Sequence, residues 1–513
     1  MKFKTLTALL GLATALAACR AGQPTPQTGA ATTGTVAAAA PASGRPSTQS
    51  VFNIKDFGAV GDSKTDDARA IQRALEACSA AGGGRVLVPA GSTFLAGPFD
   101  LKSHVEFYVE AGAKVLANPD PTVYKKSAFR ATVSEGTIWI GGENLEQVTI
   151  DGGGSIDGNG IAFMGPEAED SYELKPFKLV DPRPHLLTLV GVKHLRLRNV
   201  TIGNSAYWTI HLAGCDDVAI SDLSVLNRLR VRNSDGIDLD HSKNVRITNC
   251  YIESGDDCIC LKNRREYEEF GACENITVTG CTMTSRSCAI KLGSENMDAI
   301  RHIVFNNCII RASNRGVGIQ NRDEGSVSDV LFSNILIESH LFSDIWWGKA
   351  EPIYVTAYRR AASGGIDANP RFAKGQTEGK VGSVHDIYFS NIKCQSENGI
   401  FVSGEAGKVS HLYFDQIDVR LDKTTTRPGG LYDRRPTELD GFVKGSTSGF
   451  YLNNAANITV RNSSVRWGEH RPDYYAHALE SHGVTGLKLE NLTGESAFPK
   501  KLAAVKSYLG AIQ

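Results

Sequence analysis

Short segments with alternating apolar and polar residues recur along the chain from about residue 195 onward. Such alternation over about four to eight residues is typical of a β-strand with one buried face. The segments belong to a ten-residue unit, and several copies begin 23 to 31 residues apart. The copies begin at Leu195, Val218, Val245, Ile276, Ile303, Val330, Ile387, Leu412, Ile458 and Leu487.

A polar residue, usually Asn, interrupts each unit, as Asn199 does in the first copy, LRLRNVTIGN. One such unit cannot bury its own apolar face, but a stack of units can. The repeat therefore predicts an all-β protein: a single-stranded right-handed parallel β-helix, a solenoid with one repeat per coil. A leucine-rich repeat is the alternative, but the sequence does not show its Leu/Asn spacing or its helical segments.

Ahead of the repeats, residues 66–78 predict a helix with one apolar face, formed by Ile71, Ala74, Leu75 and Cys78. Thr65 or Asp66 is positioned to cap this helix, and the Gly82-Gly83-Gly84 run ends it. Solenoids need capped terminal repeats. We therefore expect an N-terminal capping helix over the first coil.

The first 19 residues have the features of a targeting segment. A basic start is followed by an apolar run, residues 6–16, that is too short for a permanent membrane span. Leu16-Ala17-Ala18-Cys19 resembles a bacterial lipobox, in which Cys19 is lipidated, whereas cleavage near Ala18 as an ordinary secretory signal is the alternative. The prediction is an exported periplasmic or outer-membrane lipoprotein of a bacterium, which contacts the membrane only through its lipid anchor.

Composition and length set the remaining organisation. Residues 20–50 are rich in Ala, Thr, Gly, Pro and Ser and predict a flexible linker. Residues 51–513 then form one β-helix domain, with long loops at about 340–386 and 421–457. The formal net charge of -1 gives no basic surface for nucleic acid. A monomer is expected.

The cysteines follow the repeat. Cys250, Cys281 and Cys308 hold the same position in successive units, where later units carry Ile335 and Ile392. This predicts a reduced ladder of thiols packed inside the coil as small apolar groups. Disulfides are the alternative for an exported protein, and a metal site that also uses Cys258 and Cys260 is a further one.

Three aspartates carry the candidate chemistry. Asp235 in Asn233-Ser234-Asp235 and the pair Asp256-Asp257 lie about one repeat apart, so stacking brings their carboxylates together. Clustered carboxylates raise at least one pKa, and an acid with a raised pKa beside ionised partners is what glycoside hydrolysis needs. Aspartates in solenoid turns also often bind only the backbone.

Three motifs resemble a known family. DFGAVGD at 56–62, NSDGID at 233–238 and SGDDCI at 254–259 resemble pectin-degrading β-helix proteins, the last two those of glycoside hydrolase family 28. The resemblance implies inverting hydrolysis of α-glycosidic bonds in a pectic polysaccharide or oligosaccharide, with no cofactor or metal. It assigns Asp256 as general acid and Asp235 with Asp257 as the pair that activates water. Inversion predicts about 6.5–9.5 Å between acid and base.

The sequence departs from the family pattern farther along. Alignment of four coils on Ile237, Ile259, Ile290 and Ile319 puts the histidine of the family's Gly-His-Gly motif at Arg286. The family's Arg-Ile-Lys falls on Gly318-Ile319-Gln320. The histidine and both cations that hold the substrate carboxylate are therefore absent from their usual places.

Other cations lie nearby in the same alignment, which stacks Arg315 on Arg286 and puts Lys291 beside Gln320. We expect Arg286, Lys291 and Arg315 to bind an anionic sugar. The alternative is that they balance the charge of the aspartates.

Trp346 and Trp347, in the first long loop, are expected to stack on sugar rings, although one of them is as readily a packing anchor. If the long loops close the groove, the enzyme acts on chain ends.

Two other functions compete: a β-helix lyase that uses Ca²⁺ and an arginine base, and a carbohydrate-binding solenoid without catalysis.

Overall fold

The computed structural model describes residues 50–129, 136–167, 177–179, 183–343, 346–360, 379–437 and 441–511. The predicted signal peptide with Cys19 and the predicted linker up to residue 49 lie outside these residues. In the described part, no helix is both long enough and apolar enough to cross a bilayer.

Two long parallel sheets form the body of the protein. The 13-stranded sheet contains Phe99–Asp100, Thr137–Glu143, Pro184–Val190, Ile210–Ala213, Ile237–Asp240, Ile259–Asn263, Cys288–Asn296, Arg315–Asn321, Ile353–Ala357, Ile400–Gly404, Phe450–Asn453, Leu479–His482 and Val505–Tyr508. Each strand pairs with the strand of the next coil, so the apolar side chains between the sheets form one continuous core. The prediction of a parallel β-helix is confirmed.

The 23-stranded sheet contains Val51–Asn53, Asp62–Asp66, Gly84–Val88, Thr93–Ala96, Val105–Val109, Lys114–Ala117, Glu146–Asp151, Ser155–Asp157, Lys193–Arg198, Thr201–Gly203, Asp216–Ser221, Ser224–Leu226, Lys243–Thr248, Tyr251–Ser254, Cys273–Thr279, Thr282–Ser285, Ile300–Asn306, Ile309–Ser313, Val327–Ser339, Val384–Ser396, Val409–Leu421, Ala456–Trp467 and Lys488–Thr493. Two antiparallel pairs, Met164–Glu167 with Phe177–Leu179 and Leu431–Asp433 with Phe442–Lys444, are separate from both sheets.

The strand register reproduces the repeat predicted from the sequence. Leu195 pairs with Val218, which pairs with Val245, and the series continues through Ile276 and Ile303. Val330, Ile387, Leu412 and Ile458 extend the series by one coil each. One ten-residue unit therefore corresponds to one coil of the solenoid.

The polar residue that interrupts each unit has a backbone role. Asn199, Asn249, Asn307 and Asn334 all have φ between 53° and 56°. This left-handed conformation is costly for most L-residues, and Asn tolerates it better than others. The side chains also bond between coils, as when Asn334 Nδ2 donates to Asn307 Oδ1 at 3.2 Å. The recurring Asn thus bends each coil and links it to its neighbour.

Cys250, Cys281 and Cys308 lie at equivalent positions of three successive coils, because the residues after them are register partners. All three are buried, and the ten cysteines of the described part form no disulfide. The structure therefore has the reduced ladder that the repeat predicted.

The one described α-helix is Ala68–Ala80, and short 3-10 helices lie at Ile54–Phe57, Pro121–Val123, Gly160–Phe163 and Arg265–Phe270. Ile71, Leu75 and Cys78 of the α-helix are buried in the core of the solenoid. The helix lies where the sequence placed it, and its capping function remains a prediction.

The two predicted long loops are not loops throughout. The first contains the strand Ile353–Ala357, and the second contains an antiparallel hairpin of Leu431–Asp433 with Phe442–Lys444 and the strand Phe450–Asn453. Both strands belong to the 13-stranded sheet. Each predicted loop therefore includes a strand of the solenoid, and the second also includes the hairpin.

Candidate active site

The three predicted aspartates meet at one edge of the 13-stranded sheet. Asp235 lies two residues before the strand Ile237–Asp240, and Asp256 and Asp257 lie three and two residues before the adjacent strand Ile259–Asn263. These strands are parallel, with Ile237 opposite Ile259. One carboxylate oxygen from each aspartate lies within 4.8 Å of the others, and all three residues are buried.

The spacing differs from one expectation. The generic inverting arrangement predicted about 6.5–9.5 Å between acid and base, whereas these oxygens lie within 4.8 Å of one another. The reason is geometric. Asp235 and Asp257 occupy matching positions of adjacent coils, which are about 4.8 Å apart, and Asp256 is the chain neighbour of Asp257.

Each carboxylate has different partners. Lys291 Nζ lies 2.7 Å from Asp257 Oδ2, and Ser287 Oγ donates to Asp257 Oδ1 at 3.1 Å. The backbone N–H of Asn233 donates to Asp256 Oδ2 at 3.3 Å. Asp235 Oδ1 is buried and has no hydrogen-bond partner among the described residues. Asp257 is thus a strongly stabilised carboxylate, whereas Asp235 is a poorly solvated carboxyl group.

The proton affinities follow from these surroundings. Burial, together with the charge of Asp257, raises the pKa of Asp256 to about 6. Burial and the carboxylates of Asp238, Asp256 and Asp257 raise the pKa of Asp235 well above its usual value. The cluster therefore keeps its protons to higher pH than isolated aspartates do.

A fourth carboxylate borders the cluster and was missed by the sequence reasoning. Asp238 is fully buried and forms an ion pair with the buried Lys262, with Nζ and Oδ1 2.7 Å apart. Lys262 Nζ also lies 3.7 Å from the centroid of the Trp208 ring. Asp238 ends the same motif as Asp235, NSDGID, which is the signal that could have identified it.

A buried arginine fixes the segment before Asp235. Arg183 Nη1 donates to the carbonyl of Arg232 at 2.8 Å, and Nη2 donates to Asn233 Oδ1 at 3.3 Å. The charge of Arg232 in turn acts on Asp256. Nothing in the sequence around Arg183 indicated this contact, because its partners lie about fifty residues away.

The predicted coil alignment is wrong at the fourth coil. Ile237, Ile259 and Ile290 are register partners as expected, but Ile290 pairs with Val317 and not with Ile319. Lys291 is therefore opposite Gly318, and Arg315 is opposite Cys288. The predicted proximity of Lys291 to Gln320 and the stacking of Arg315 on Arg286 do not occur in this register.

The three predicted substrate-binding cations have different environments. Lys291 is partly exposed beside Asp257, with 18% of its side chain accessible. Arg286 is half-buried, and its guanidinium lies 4.8 Å from the Phe342 ring centroid. Arg315 is buried, forms an ion pair with Glu351 at 3.2 Å and covers the Tyr354 ring. Lys291 and Arg286 remain candidates for substrate contact, whereas Arg315 has a structural environment.

The two tryptophans also differ. Trp346 is fully buried, so it is the packing anchor of the pair. Trp347 is half-buried, and the Arg435 guanidinium lies 4.9 Å from its ring centroid. In this arrangement only Trp347 retains an accessible surface that a sugar can reach.

Aromatic side chains close the outer face of the 13-stranded sheet on both sides of the aspartates. Toward the N-terminal coils, the Tyr267 hydroxyl donates to the Ala128 carbonyl at 2.5 Å, and Arg264 lies 4.1 Å from the Phe129 ring centroid. Toward the C-terminal coils, Tyr432 of the hairpin stacks on Phe401, with centroids 4.3 Å apart. The aspartates thus lie between two filled regions of this face.

Two side chains of the strand Arg315–Asn321 hold the C-terminal closure against the sheet. The Gln320 side-chain amide donates to the Arg435 carbonyl, and Arg315 Nη2 donates to the Asp433 carbonyl at 3.3 Å. Arg435 itself is bound to both oxygens of Asp433, at 2.8 Å each. Arg315 and Gln320 therefore hold the hairpin.

The family model "Glycosyl hydrolases family 28" matches residues 78–344, just over half of the chain. A probable polygalacturonase of Vitis vinifera is 30% identical over 286 residues, which are 52% of this chain and 56% of that protein. An exopolygalacturonase of Zea mays is 26% identical over 56% of this chain and 67% of its own length. The chain spans little more than half the length of the first of these relatives.

Solved structures agree on the fold. The family 28 exopolygalacturonase of Yersinia enterocolitica superposes with a TM-score of 0.64 at 20% identity, covering 86% of this chain and 78% of that one. A polygalacturonase of Erwinia carotovora superposes with a TM-score of 0.52 at 19% identity, covering 88% and 96%. Together with the family match, the sequence motifs and the clustered aspartates, the comparisons show that this chain belongs to glycosyl hydrolase family 28.

Proposed function

We propose that the protein is an inverting glycoside hydrolase that cleaves α-glycosidic bonds in a pectic polysaccharide or oligosaccharide, like a polygalacturonase or a rhamnogalacturonan hydrolase. The observation that carries the proposal is the cluster of Asp235, Asp256 and Asp257, in which a lysine binds one carboxylate and burial raises the pKa of the two others. The named relatives, which are polygalacturonases, support the substrate class.

The geometry supports a division of labour. Burial raises the pKa of Asp256 to about 6, so this carboxyl keeps its proton to higher pH than an ordinary aspartate and can donate it to the glycosidic oxygen as the C–O bond breaks. The Lys291 ammonium, 2.7 Å away, stabilises the Asp257 carboxylate, which accepts the proton of the attacking water. Asp235, with a carboxylate oxygen within 4.8 Å of the other two aspartates, holds that water together with Asp257 and shares in accepting its proton. The water oxygen bonds to the anomeric carbon, and no cofactor enters the scheme.

Substitution of Lys291 by Met should lower kcat/KM for a uronate substrate about a hundredfold, because the lysine both stabilises Asp257 and faces the substrate. We expect kcat to fall as well as KM to rise. A lysine that binds only the sugar carboxylate would change KM alone. The matched control is Lys243→Met, on the other sheet. Unchanged kinetics in the Lys291 variant would discard both functions of the lysine.

The closed groove supports action on chain ends. Tyr267 and Tyr432 close the outer face of the sheet on either side of the aspartates. In this proposal the two closures keep a long polymer from lying across the aspartates, so the polymer enters by one end. Polygalacturonate should therefore release short products of constant size from the first minutes, while the length of the remaining polymer changes slowly.

The hydrolase proposal is tested by product analysis on polygalacturonate, rhamnogalacturonan and oligogalacturonides. New reducing ends without new ultraviolet absorbance are expected. An absorbing product would identify a lyase. The lyase alternative would place Ca²⁺ at the aspartates, but Lys291 already occupies Asp257, so we expect activity to persist in EDTA. Absence of any product would favour the non-catalytic carbohydrate-binding solenoid.

Secretion and anchoring are a separate part of the proposal. Leu16-Ala17-Ala18-Cys19 supports export with lipidation of Cys19 and a periplasmic or outer-membrane location in a bacterium. We propose a monomer that meets the membrane only through this anchor and meets a pectic substrate through the aspartate cluster.

A further inference from the structure

Two lysines are arranged in the same way around the aspartate cluster. Lys291 lies in the coil after Asp257 and binds it at 2.7 Å, and Lys262 lies in the coil after Asp238 and binds it at 2.7 Å. The Lys291 pair touches a residue of the proposed mechanism directly. The Lys262 pair takes part in no step of that mechanism.

The second pair is more deeply enclosed than the first. The side chains of Lys262 and Asp238 are 3% and 0% exposed, and the Trp208 ring covers the ammonium at 3.7 Å. A single buried charge at this position would be costly, whereas the pair is electrically neutral as a whole. The pair therefore brings two charges close to Asp235 without changing the net charge around it.

Both members of the pair lie near Asp235: Asp238 follows it by three residues in the strand Ile237–Asp240, and Lys262 lies on the adjacent strand, opposite Asp240. The charges that reach Asp235 come from Asp238, Asp256 and Asp257, which oppose its ionisation, and from Lys262, which favours it. Asp238 in turn faces Lys262, His211 and Asp257. His211 is fixed by Asp240, with Nε2 and Oδ2 3.3 Å apart. Loss of one member of the pair would leave an uncompensated charge beside Asp235, whereas loss of both would not.

We propose that Lys262 and Asp238 are positioning residues, a neutral buried pair that fixes how readily Asp235 gains and loses a proton during turnover. The inference rests on the proposed glycoside hydrolase function. It assigns a function to two residues that the family resemblance did not place in the site. It also predicts the direction in which the pH profile moves in Asp238→Asn, whereas a merely structural pair would not move the profile.

The test compares three variants by the pH dependence of kcat/KM on an oligogalacturonide. Asp238→Asn leaves the Lys262 charge uncompensated, so the acidic limb of the profile should move to lower pH by about one unit. The double variant Lys262→Met/Asp238→Asn should return the limb to its wild-type pH. Lys262→Arg keeps the charge and should keep the limb in place.

A readout that does not need turnover separates this inference from the proposed function. The infrared band of protonated carboxyl groups, assigned by its loss in Asp235→Asn, reports the proton on Asp235 directly. Its midpoint should move down in Asp238→Asn and return in the double variant. If the wild type cleaves no pectic substrate but this pattern is seen, the hydrolase proposal fails and the action of the pair stands.

A matched control is available in the same solenoid. Asp323 and Arg360 form another buried pair, 2.8 Å apart and each 2% exposed, that is not among the charges acting on Asp235. Asp323→Asn should lower stability. It should move neither the midpoint of the acidic limb of kcat/KM nor the midpoint of the infrared band of Asp235. If Asp238→Asn likewise moves neither midpoint, the pair is only structural and the inference is wrong. If Asp238→Asn does not fold, the double variant still tests the inference. A shift of its pH midpoint by about one unit from the wild-type value would overturn the proposed function of the pair.

Discussion

Replacement of Asp256 by Asn is expected to lower kcat on a pectic oligosaccharide about a thousandfold and to leave KM within about twofold. The amide oxygen can still accept the hydrogen bond from the backbone of Asn233. It cannot donate a proton to the leaving oxygen, so the loss appears in the chemical step. Steady-state kinetics on a defined oligogalacturonide measures both constants.

The control for this variant is Asp216→Asn, which makes the same chemical change in the 23-stranded sheet, where Asp216 Oδ1 accepts a hydrogen bond from Asn244. It should keep wild-type kinetics. An Asp256→Asn protein that retains more than about a tenth of wild-type kcat would remove Asp256 from the position of general acid, because general acid catalysis contributes at least about a hundredfold.

Replacement of Glu351 by Gln should lower the free energy of unfolding by about 3–5 kcal/mol. Glu351 is fully buried and accepts hydrogen bonds from Arg315 Nε and Nη2 at 3.2 Å each and from the Lys349 backbone at 2.7 Å. The variant leaves the Arg315 charge buried with one fewer counter-charge. Urea denaturation followed by circular dichroism measures the change.

An exposed pair of the same type supplies the comparison. Arg461 binds Asp415 at 2.8 Å with 52% of the arginine side chain exposed. Asp415→Asn should cost less than about 1 kcal/mol, since solvent screens such pairs. Equal losses of unfolding free energy in the two variants would mean that the buried Arg315–Glu351 pair contributes no more to stability than an exposed pair does.

The repeat was readable from the sequence because each copy carries the same two signals. Apolar residues alternate in phase from Leu195 through Ile458, and a polar residue that tolerates positive φ, such as Asn249 or Asn307, follows at a fixed place. Both signals are local, so neither depends on knowing the fold. The clustering of Asp235 with Asp256 and Asp257 then followed from stacking alone.

The error at the fourth coil has a physical cause. Val317 and Ile319 are both apolar, and both point inward, because strand side chains alternate with a period of two. A shift of two residues therefore preserves the hydrophobic pattern completely, and only the length of the turn decides between the two registers. The sequence contained no information that distinguished Ile290–Val317 from Ile290–Ile319 pairing.

Long-range contacts explain the remaining differences. Arg315 and Gln320 looked available because their partners Asp433 and Arg435 lie more than a hundred residues away, in an inserted hairpin. Trp346 and Trp347 are adjacent, and no local signal says which one is buried. The residues that hold the site closed were thus harder to predict than those that carry its chemistry.

The measurement that tests the central claim most directly is proton NMR of the first product released from an α-linked oligogalacturonide. We expect the new reducing end to appear first as the β anomer and then to equilibrate, because one direct attack by water inverts the anomeric carbon. First appearance of the α anomer would contradict the proposed mechanism, since it requires two displacements. Appearance of an unsaturated product would contradict hydrolysis altogether.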